Sequence, residues 1–190
     1  MPHSEFIHLH LHTQFSLLDG ACRIPDLLAL AKQYNMDSLA ITDHVNMFGA
    51  IDFYTEAQKA GIKPVIGCEV YVAPGSRLDK SSGGIEEAAY HLILLSRDEK
   101  GYQNLMKLVS LGYLDGFYYR PRIDKEVLAQ HSDGLIGLSA CLKGEIASML
   151  AQKRFNDALK AADEYSHILG KNNFYLELQE NSIPEQKPVN

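Results

Sequence analysis

The chain has 190 residues, of which 46% are hydrophobic and 22% are charged, and its formal net charge is −6. This length and composition are typical of one soluble globular domain with a substantial core. The acidic balance argues against nonspecific nucleic-acid binding by the surface as a whole, but it is compatible with a local basic groove.

Cysteine usage and hydropathy indicate the compartment. The three cysteines, Cys22, Cys68 and Cys141, have no spacing typical of a disulfide framework. No segment resembles a secretion signal, and no apolar run reaches the ~18 residues needed to span a bilayer. We therefore expect a cytoplasmic protein in a reducing environment, with no membrane contact.

The first predicted strand contains the run His8-Leu-His-Leu-His12. Alternate residues of a strand face the same side, so His10 and His12 would lie side by side, with Leu9 and Leu11 buried on the other face. Two imidazoles on one face provide half of a metal site. The alternatives are incidental surface histidines or a tag remnant, and the alternating leucines disfavour both.

Helices and strands alternate after this segment. The patterns predict helices over 26–34, 48–60, 99–111, 125–130, 144–151 and 154–169, and strands over 38–42, 63–72, 90–96, 134–139 and 173–179. The Gly-, Ser- and Pro-containing stretch 73–87 predicts a polar loop that could cover a site. Such an alternation favours parallel strands joined by crossover helices.

Six strands, counting the histidine strand, predict a (β/α) barrel that is not closed. The tail 181–190 is polar and contains prolines, and it supplies no further strand. Either the sheet stays open or the chain is cut from a longer one, and we favour the second interpretation.

Side chains that can ligate metals recur where the predicted strands end, the rim at which barrels of this type collect functional groups. They are His10, His12, Asp19, Asp43, His44, Glu69, His91 and Cys141. A carboxylate such as Glu69 within an apolar strand costs several kcal/mol unless a cation lies beside it. For His91 a hydrogen-bonded core histidine, and for Cys141 a small buried hydrophobe, stay open as alternatives.

This number of ligands exceeds the needs of one ion. Glu69 has two oxygens that could bridge two ions, and ions ~3.5–4 Å apart stabilise phosphoryl transfer to water. No serine, cysteine or lysine stands out as a covalent nucleophile, so we assign no side chain as a catalytic residue. The residues predict a multinuclear metal phosphoesterase in which the ions activate water.

Several of these motifs resemble the PHP (polymerase and histidinol phosphatase) family. The similar segments are His10-Leu-His12, Thr42-Asp-His44, Gly67-Cys-Glu69, His91 and Cys141. The resemblance implies an α/β fold, a distorted (β/α)₇ PHP barrel that is incomplete here because the last strand is missing. It also implies up to three Zn²⁺ or Mn²⁺ ions, with ligands among His10, His12, Asp19, His44, Glu69, His91 and Cys141.

Other segments resemble one branch of that family, the N-terminal part of bacterial DNA polymerase III alpha subunits. These segments are 12–20, 91–95, 101–105 and 137–145. The resemblance implies that residues 1–190 are the PHP domain of a longer polymerase chain, with a 3′–5′ exonuclease or phosphoesterase site. It also implies Mg²⁺ for polymerisation elsewhere in that chain, with DNA, a proofreading exonuclease subunit and a sliding clamp as partners.

Two positions and one motif depart from the family pattern. Asp19 and Cys141 stand where other members carry histidine, and both residue types still ligate metal. The final Asp-x-His motif is absent. The alternatives are a stand-alone phosphatase, such as a histidinol-phosphate phosphatase, and a structural metal module without turnover. Arg77, Arg120 and Arg122 are weaker candidates for contacts with a DNA strand.

Overall fold

The computed structural model describes residues 3–81, 84 and 89–190. Within these residues the helices are α1 (Ile24–Gln33), α2 (Ala50–Ala60), α3 (Glu99–Leu114), α4 (Lys125–Gln130), α5 (Glu145–Ala151) and α6 (Phe155–Leu169). The strands are β1 (Ser38–Ile41), β2 (Lys63–Val72), β3 (Tyr90–Ser96), β4 (Leu135–Leu138) and β5 (Phe174–Tyr175). A 3₁₀ turn over Pro184–Gln186 follows. The predicted α/β class is confirmed, and β2, β3 and α4 have their predicted bounds.

The strands form one mixed sheet in the order β1-β2-β3-β4-β5. The β1–β2 and β4–β5 pairs are parallel, but β3 is antiparallel to both of its neighbours. The expectation of uniformly parallel strands is therefore wrong for β3. The 73–89 connection has no helix among its described residues, and a chain that turns back without a crossover must pair antiparallel. Residues 82–83 and 85–88 of the predicted covering loop lie outside the described residues.

The histidine segment is not a regular strand, which corrects the prediction. Two carbonyls three residues apart, those of His8 and Leu11, accept hydrogen bonds from Ala40 and Thr42, whose amides are only two residues apart. This extra residue disturbs the alternation of a strand. As a result Leu9 is exposed, whereas Leu11 packs against the core around α1, α2 and β1.

The predicted final strand is also shorter than expected. Only Phe174 and Tyr175 pair with β4, and residues 176–179 continue without regular strand pairing. Leu176 and Leu178 are exposed, and Glu177 points inward. The inward face of this segment is therefore polar, which matters for the site.

Among the described residues, three apolar clusters hold the sheet in place. The largest joins β2, β3 and β4 to α3, α4, α5 and α6, and the second joins β1 to α1 and α2. The third is small and consists of Ala40, Ile93, Leu95, Leu138 and Ala140. Gly67 allows close packing inside the sheet, because a Cβ there would lie 2.6 Å from Leu95 Cδ2 and 2.7 Å from the Leu94 carbonyl oxygen. Within the described residues, the helices are all too short or too polar to cross a bilayer.

Candidate metal centre

Glu69, in β2, lies at the middle of a group of imidazoles although it is only 1% exposed. Its Oε2 lies 3.0 Å from Nε2 of His10 and 3.7 Å from Nε2 of His12. Its Oε1 lies 2.8 Å from Nδ1 of both His44 and His91. One buried carboxylate therefore contacts four histidines that come from three separate parts of the chain.

Backbone pairing beyond the end of β1 places His44 beside Glu69. The amide of Glu69 donates to the carbonyl of Asp43, and the amide of Val45 donates to the carbonyl of Glu69. The ring of His44 stacks on that of His12 with 4.0 Å between centroids, and its Nε2 lies 2.6 Å from Oδ2 of Asp19. Asp19 is exposed, so it lies at the outer edge of the group.

His91 reaches the same rim because β3 is reversed. The second residue of an antiparallel strand lies beside the end of its neighbour, and here His91 pairs with Tyr71 near the end of β2. The amide of His91 donates to the carbonyl of Lys143, which ties the loop after β4 to the start of β3. In this loop Sγ of Cys141 lies 3.6 Å from Nδ1 of His91.

All seven predicted ligand side chains therefore lie in one connected cluster. Their possible ligand atoms form two overlapping sets, His10–His12–Glu69 and Glu69–His91–Cys141, and within each set the atoms lie within 4.8 Å of one another. Glu69 belongs to both sets. Imidazole, thiolate and carboxylate donors that converge in this way suit a transition metal or zinc.

Asp43 does not join this cluster. Its carboxylate accepts hydrogen bonds from the amide of Thr13 at 2.6 Å, from the hydroxyl of Thr13 at 2.8 Å and from the hydroxyl of Ser16 at 2.7 Å. Asp43 therefore fastens the end of the histidine segment to β1, and its expected place at the metal rim is wrong.

The surroundings of Glu69 Oε1 indicate whether these residues could bind a metal ion. Nδ1 of His44 and Nδ1 of His91 each lie 2.8 Å from this oxygen, yet neither contact has hydrogen-bond geometry. Among the described residues, Oε1 of Glu69, Nε2 of His44 and Nδ1 of His12 are buried polar atoms without a hydrogen-bond partner. Such atoms are costly unless a further group satisfies them. The donor set fits a metal ion.

The cluster strongly perturbs its own protonation. Burial alone would raise the pKa of Glu69, but the imidazoles of His10, His44 and His91 hold it far below its ordinary value. Burial lowers the pKa of His12, and the nearby His44 lowers it further. Burial also raises the pKa of the Cys141 thiol. A permanent negative charge on Glu69 is what a cation site needs.

Two residues at the site were missed by sequence reasoning. Oε1 of Glu177 lies 2.7 Å from Nδ1 of His10, and Nε2 of Gln179 donates to the same carboxylate at 2.6 Å. Burial opposes the protonation of His10, but the carboxylates of Glu177 and Glu69 outweigh it and raise the His10 pKa to about 9. The alternation of Glu177 and Gln179 with leucines was the available signal.

The three arginines considered for DNA contacts have different environments. Arg122 is buried and donates to the carbonyls of Gly116, Arg77 and Asp79, and Arg77 is paired with Asp124. These two arginines hold loops together. Arg120 alone of the three extends towards the cluster, where it donates to the hydroxyl of Tyr71 at 3.1 Å.

Comparisons with known proteins identify similar chains. The chain is similar to DNA polymerase III subunit alpha from Borreliella burgdorferi, with 52% identity over 98% of this chain and 16% of that protein. It is similar to the same subunit from Treponema pallidum, with 47% identity over 100% of this chain and 16% of that protein, and from Thermus aquaticus, with 49% identity over 98% and 15%. The chain thus spans about one sixth of the length of these relatives.

A solved structure has a similar fold. It is described as a candidate metal-dependent phosphoesterase from Bifidobacterium adolescentis, and it matches 98% of this chain and 82% of its own with a TM-score of 0.55 and 12% identity. The family model for the PHP domain matches residues 8–181. With the motifs, the sheet and the cluster in agreement, the chain belongs to the PHP domain family.

Proposed function

We propose that the Glu69 cluster binds at least two divalent metal ions and hydrolyses phosphodiester bonds, removing nucleotides from the 3′ end of DNA. The observation that carries this proposal is Oε1 of Glu69, a buried carboxylate oxygen 2.8 Å from two imidazole nitrogens without hydrogen-bond geometry. A buried carboxylate oxygen without a hydrogen bond is unfavourable by itself, and metal cations beside it would stabilise its charge.

The chain offers one set of donors for each of two ions, with Glu69 shared between them. His10 and His12 would complete the first set, and His91 and Cys141 the second. His44 and Asp19 would contribute from the outer edge. Thiolate and imidazole donors favour Zn²⁺, and Mn²⁺ is the alternative. When bound, such ions polarise a phosphate and lower the pKa of a bound water.

Residues around the donors orient them. Glu177 contacts Nδ1 of His10, which leaves Nε2 of that ring directed at Glu69 and His12. Asp43 holds the segment that carries His12 through three hydrogen bonds to Thr13 and Ser16. Partners of this kind fix the tautomer and the orientation of a ligating ring.

The high identity to bacterial polymerase subunits supports a wider proposal. Residues 1–190 would be the N-terminal PHP domain of a cytoplasmic replicative DNA polymerase, whose polymerisation with Mg²⁺ takes place elsewhere in the longer chain. Its partners would then be DNA, a proofreading exonuclease subunit and a sliding clamp. The hydrolytic site would act on a 3′ end that the polymerase has released.

The test uses the full-length protein and a single-stranded DNA labelled at its 3′ end. Chelation should abolish hydrolysis, and Zn²⁺ or Mn²⁺ should restore it. His12→Ala should lose hydrolysis and keep polymerisation, because the two reactions would use different metal sites. His8→Ala is the matched control, since His8 is exposed and its ring packs edge-on against the ring of Phe6, away from the Glu69 cluster.

Metal analysis of the same preparation decides between catalysis and a structural role. A protein with a full metal complement that hydrolyses neither 3′ ends nor simple phosphate esters would have a structural metal module. Hydrolysis of small phosphate monoesters with no action on DNA would instead support the alternative of a small-molecule phosphatase.

A further inference from the structure

A cavity of about 180 Å³ adjoins the cluster on the side of His91. Its lining includes Tyr71, His91, Arg120, Lys143 and Ser148, and no carboxylate belongs to the part of the lining that the structure describes. A water molecule occupies ~30 Å³ in the liquid, so this cavity has room for a group much larger than water. Its polar lining is cationic and hydroxylic, which is suited to an anion.

Arg120 has an unusual environment for an arginine of this chain. Arg23, Arg77, Arg97 and Arg154 are each paired with an aspartate, and Arg122 donates to three carbonyls. Within the described residues Arg120 has no carboxylate partner, and its guanidinium instead lies 5.0 Å from the centroid of the Tyr71 ring. An arginine that is half-buried without an anion favours the binding of one.

The backbone around Arg120 is held in place before any ligand binds. Tyr119, which precedes it, has a left-handed conformation with φ of 58°, and the amide of Tyr118 donates to the carbonyl of Arg120 at 3.1 Å. A bulky residue with positive φ persists only where its surroundings enforce it, and such strain collects at functional sites. The buried Arg122 anchors the end of this turn.

Tyr71 separates the guanidinium from the proposed metal ligands. Its hydroxyl accepts from Arg120 at 3.1 Å and lies 3.4 Å from Nδ1 of His44, and its ring centroid is 4.7 Å from that of His91. The guanidinium of Arg120 is therefore adjacent to the cluster, one aromatic ring away from it. An anion bound by Arg120 would therefore be a different group from the scissile phosphate that the Glu69 cluster would bind.

We propose that Arg120 and Tyr71 form a second phosphate subsite, which binds the phosphate next to the scissile one in a single-stranded polynucleotide. This inference rests on the phosphodiesterase activity proposed above, and it names the substrate class. A phosphate monoester carries one phosphate and cannot occupy both positions. A strand with at least two phosphates occupies both, so the subsite selects polynucleotides.

The experiment compares two substrates on the metal-loaded full-length protein. One is a dinucleoside monophosphate, which has a single phosphate, and the other is the trinucleoside diphosphate, which has a second phosphate. The wild-type kcat/KM should favour the longer substrate, and Arg120→Gln should reduce that preference about tenfold, the usual effect of losing one charge-assisted hydrogen bond. Arg154→Gln, at an exposed pair with Asp157, is the matched control and should keep the preference.

Binding of the trinucleoside diphosphate, measured by titration, and hydrolysis of bis(4-nitrophenyl) phosphate separate the two proposals. If wild type hydrolyses the nitrophenyl ester and Arg120→Gln keeps the full preference for the longer substrate, the subsite is refuted and the phosphodiesterase stands. If wild type hydrolyses nothing but binds the trinucleotide with an Arg120-dependent affinity, the activity is refuted and the subsite stands. A thermal melt of Arg120→Gln shows whether the turn still folds, and Arg120→Lys should restore part of the preference in a folded protein.

Discussion

Asp43 and Glu69 are neighbouring buried carboxylates with opposite surroundings. They are 2% and 1% exposed, and the amide of Glu69 donates to the carbonyl of Asp43 at 3.1 Å. The side chain of Asp43 accepts three hydrogen bonds from Thr13 and Ser16, whereas Oε1 of Glu69 contacts two imidazoles without hydrogen-bond geometry.

The difference separates a structural carboxylate from one that is suited to a ligand. Buried polar groups that stabilise a fold have their hydrogen bonds completed within it, as at Asp43. A partly satisfied group is costly in the free protein and becomes favourable when a ligand completes it, which is the condition of Glu69.

Glu69→Gln should cause the largest loss. It removes the charge that both proposed ion positions share, so metal affinity should fall by more than the ~10–100-fold typical of outer residues. Thermal melts of the full-length protein with and without added Zn²⁺ measure this, since a bound metal raises the melting temperature. A Zn²⁺-dependent shift as large as that of wild type would refute the assignment of Glu69 as a shared ligand.

Asp43→Asn should lower the stability of the fold more than it lowers the affinity for metal. The asparagine oxygen can still accept from the amide of Thr13 and the hydroxyl of Ser16, but its amide nitrogen would face the hydroxyl of Thr13, and the negative charge that strengthens all three hydrogen bonds is lost. We expect a loss of about 3 kcal/mol in the free energy of unfolding, roughly 1 kcal/mol for each bond. Denaturant titration under chelation measures it. The folded variant should still show a Zn²⁺-dependent shift in melting temperature, and loss of that shift would place Asp43 among the metal ligands after all.

Glu177→Gln should have an intermediate effect that acts through His10. Without the carboxylate charge, the His10 pKa of about 9 should fall in the metal-free protein, and metal affinity should drop ~10-fold. NMR titration of the imidazole and competition with a chromophoric chelator measure the two quantities. Glu180→Gln, on the same segment but exposed, is the control, and an identical His10 titration in both variants would contradict the orienting role.

Asp124→Asn extends the comparison to a third buried carboxylate. Burial would raise the Asp124 pKa, but hydrogen bonds from the amides of Arg77 and Val127 and the Arg77 guanidinium hold it below its ordinary 3.8. Because the folded pKa is depressed, the contribution of Asp124 to stability is complete above pH 3.8 and is lost as the pH falls through the folded pKa.

The stability difference between wild type and Asp124→Asn should therefore be roughly 2 kcal/mol near neutral pH and should shrink on acidification below about pH 4. Denaturant titrations at a series of pH values measure it. A difference that stays constant across this range would show that the charge of Asp124 does not contribute.

The local pattern was enough to predict most elements and the membership of the cluster. The apolar run of β2 carries Glu69 in its middle, and that of β3 carries His91 at its start, so both strands and both side chains follow from the order of residues. The same pattern included Asp19 and Cys141 and predicted an unclosed barrel, and the family resemblance added the expected Zn²⁺ or Mn²⁺ ions and the polymerase context. Metal ligation by these seven side chains stays a prediction.

Strand direction, the shape of the histidine segment and the orienting partner of His10 depended on tertiary structure. The direction of β3 is defined by its antiparallel pairing with β2 and β4, and the irregularity at His8–His12 follows from which carbonyls meet the amides of β1. Glu177 reaches His10 across 167 positions of sequence. Each of these features depends on hydrogen bonds between segments that are distant in sequence. Local periodicity indicates which face a residue occupies, but it does not indicate which distant group lies opposite that residue.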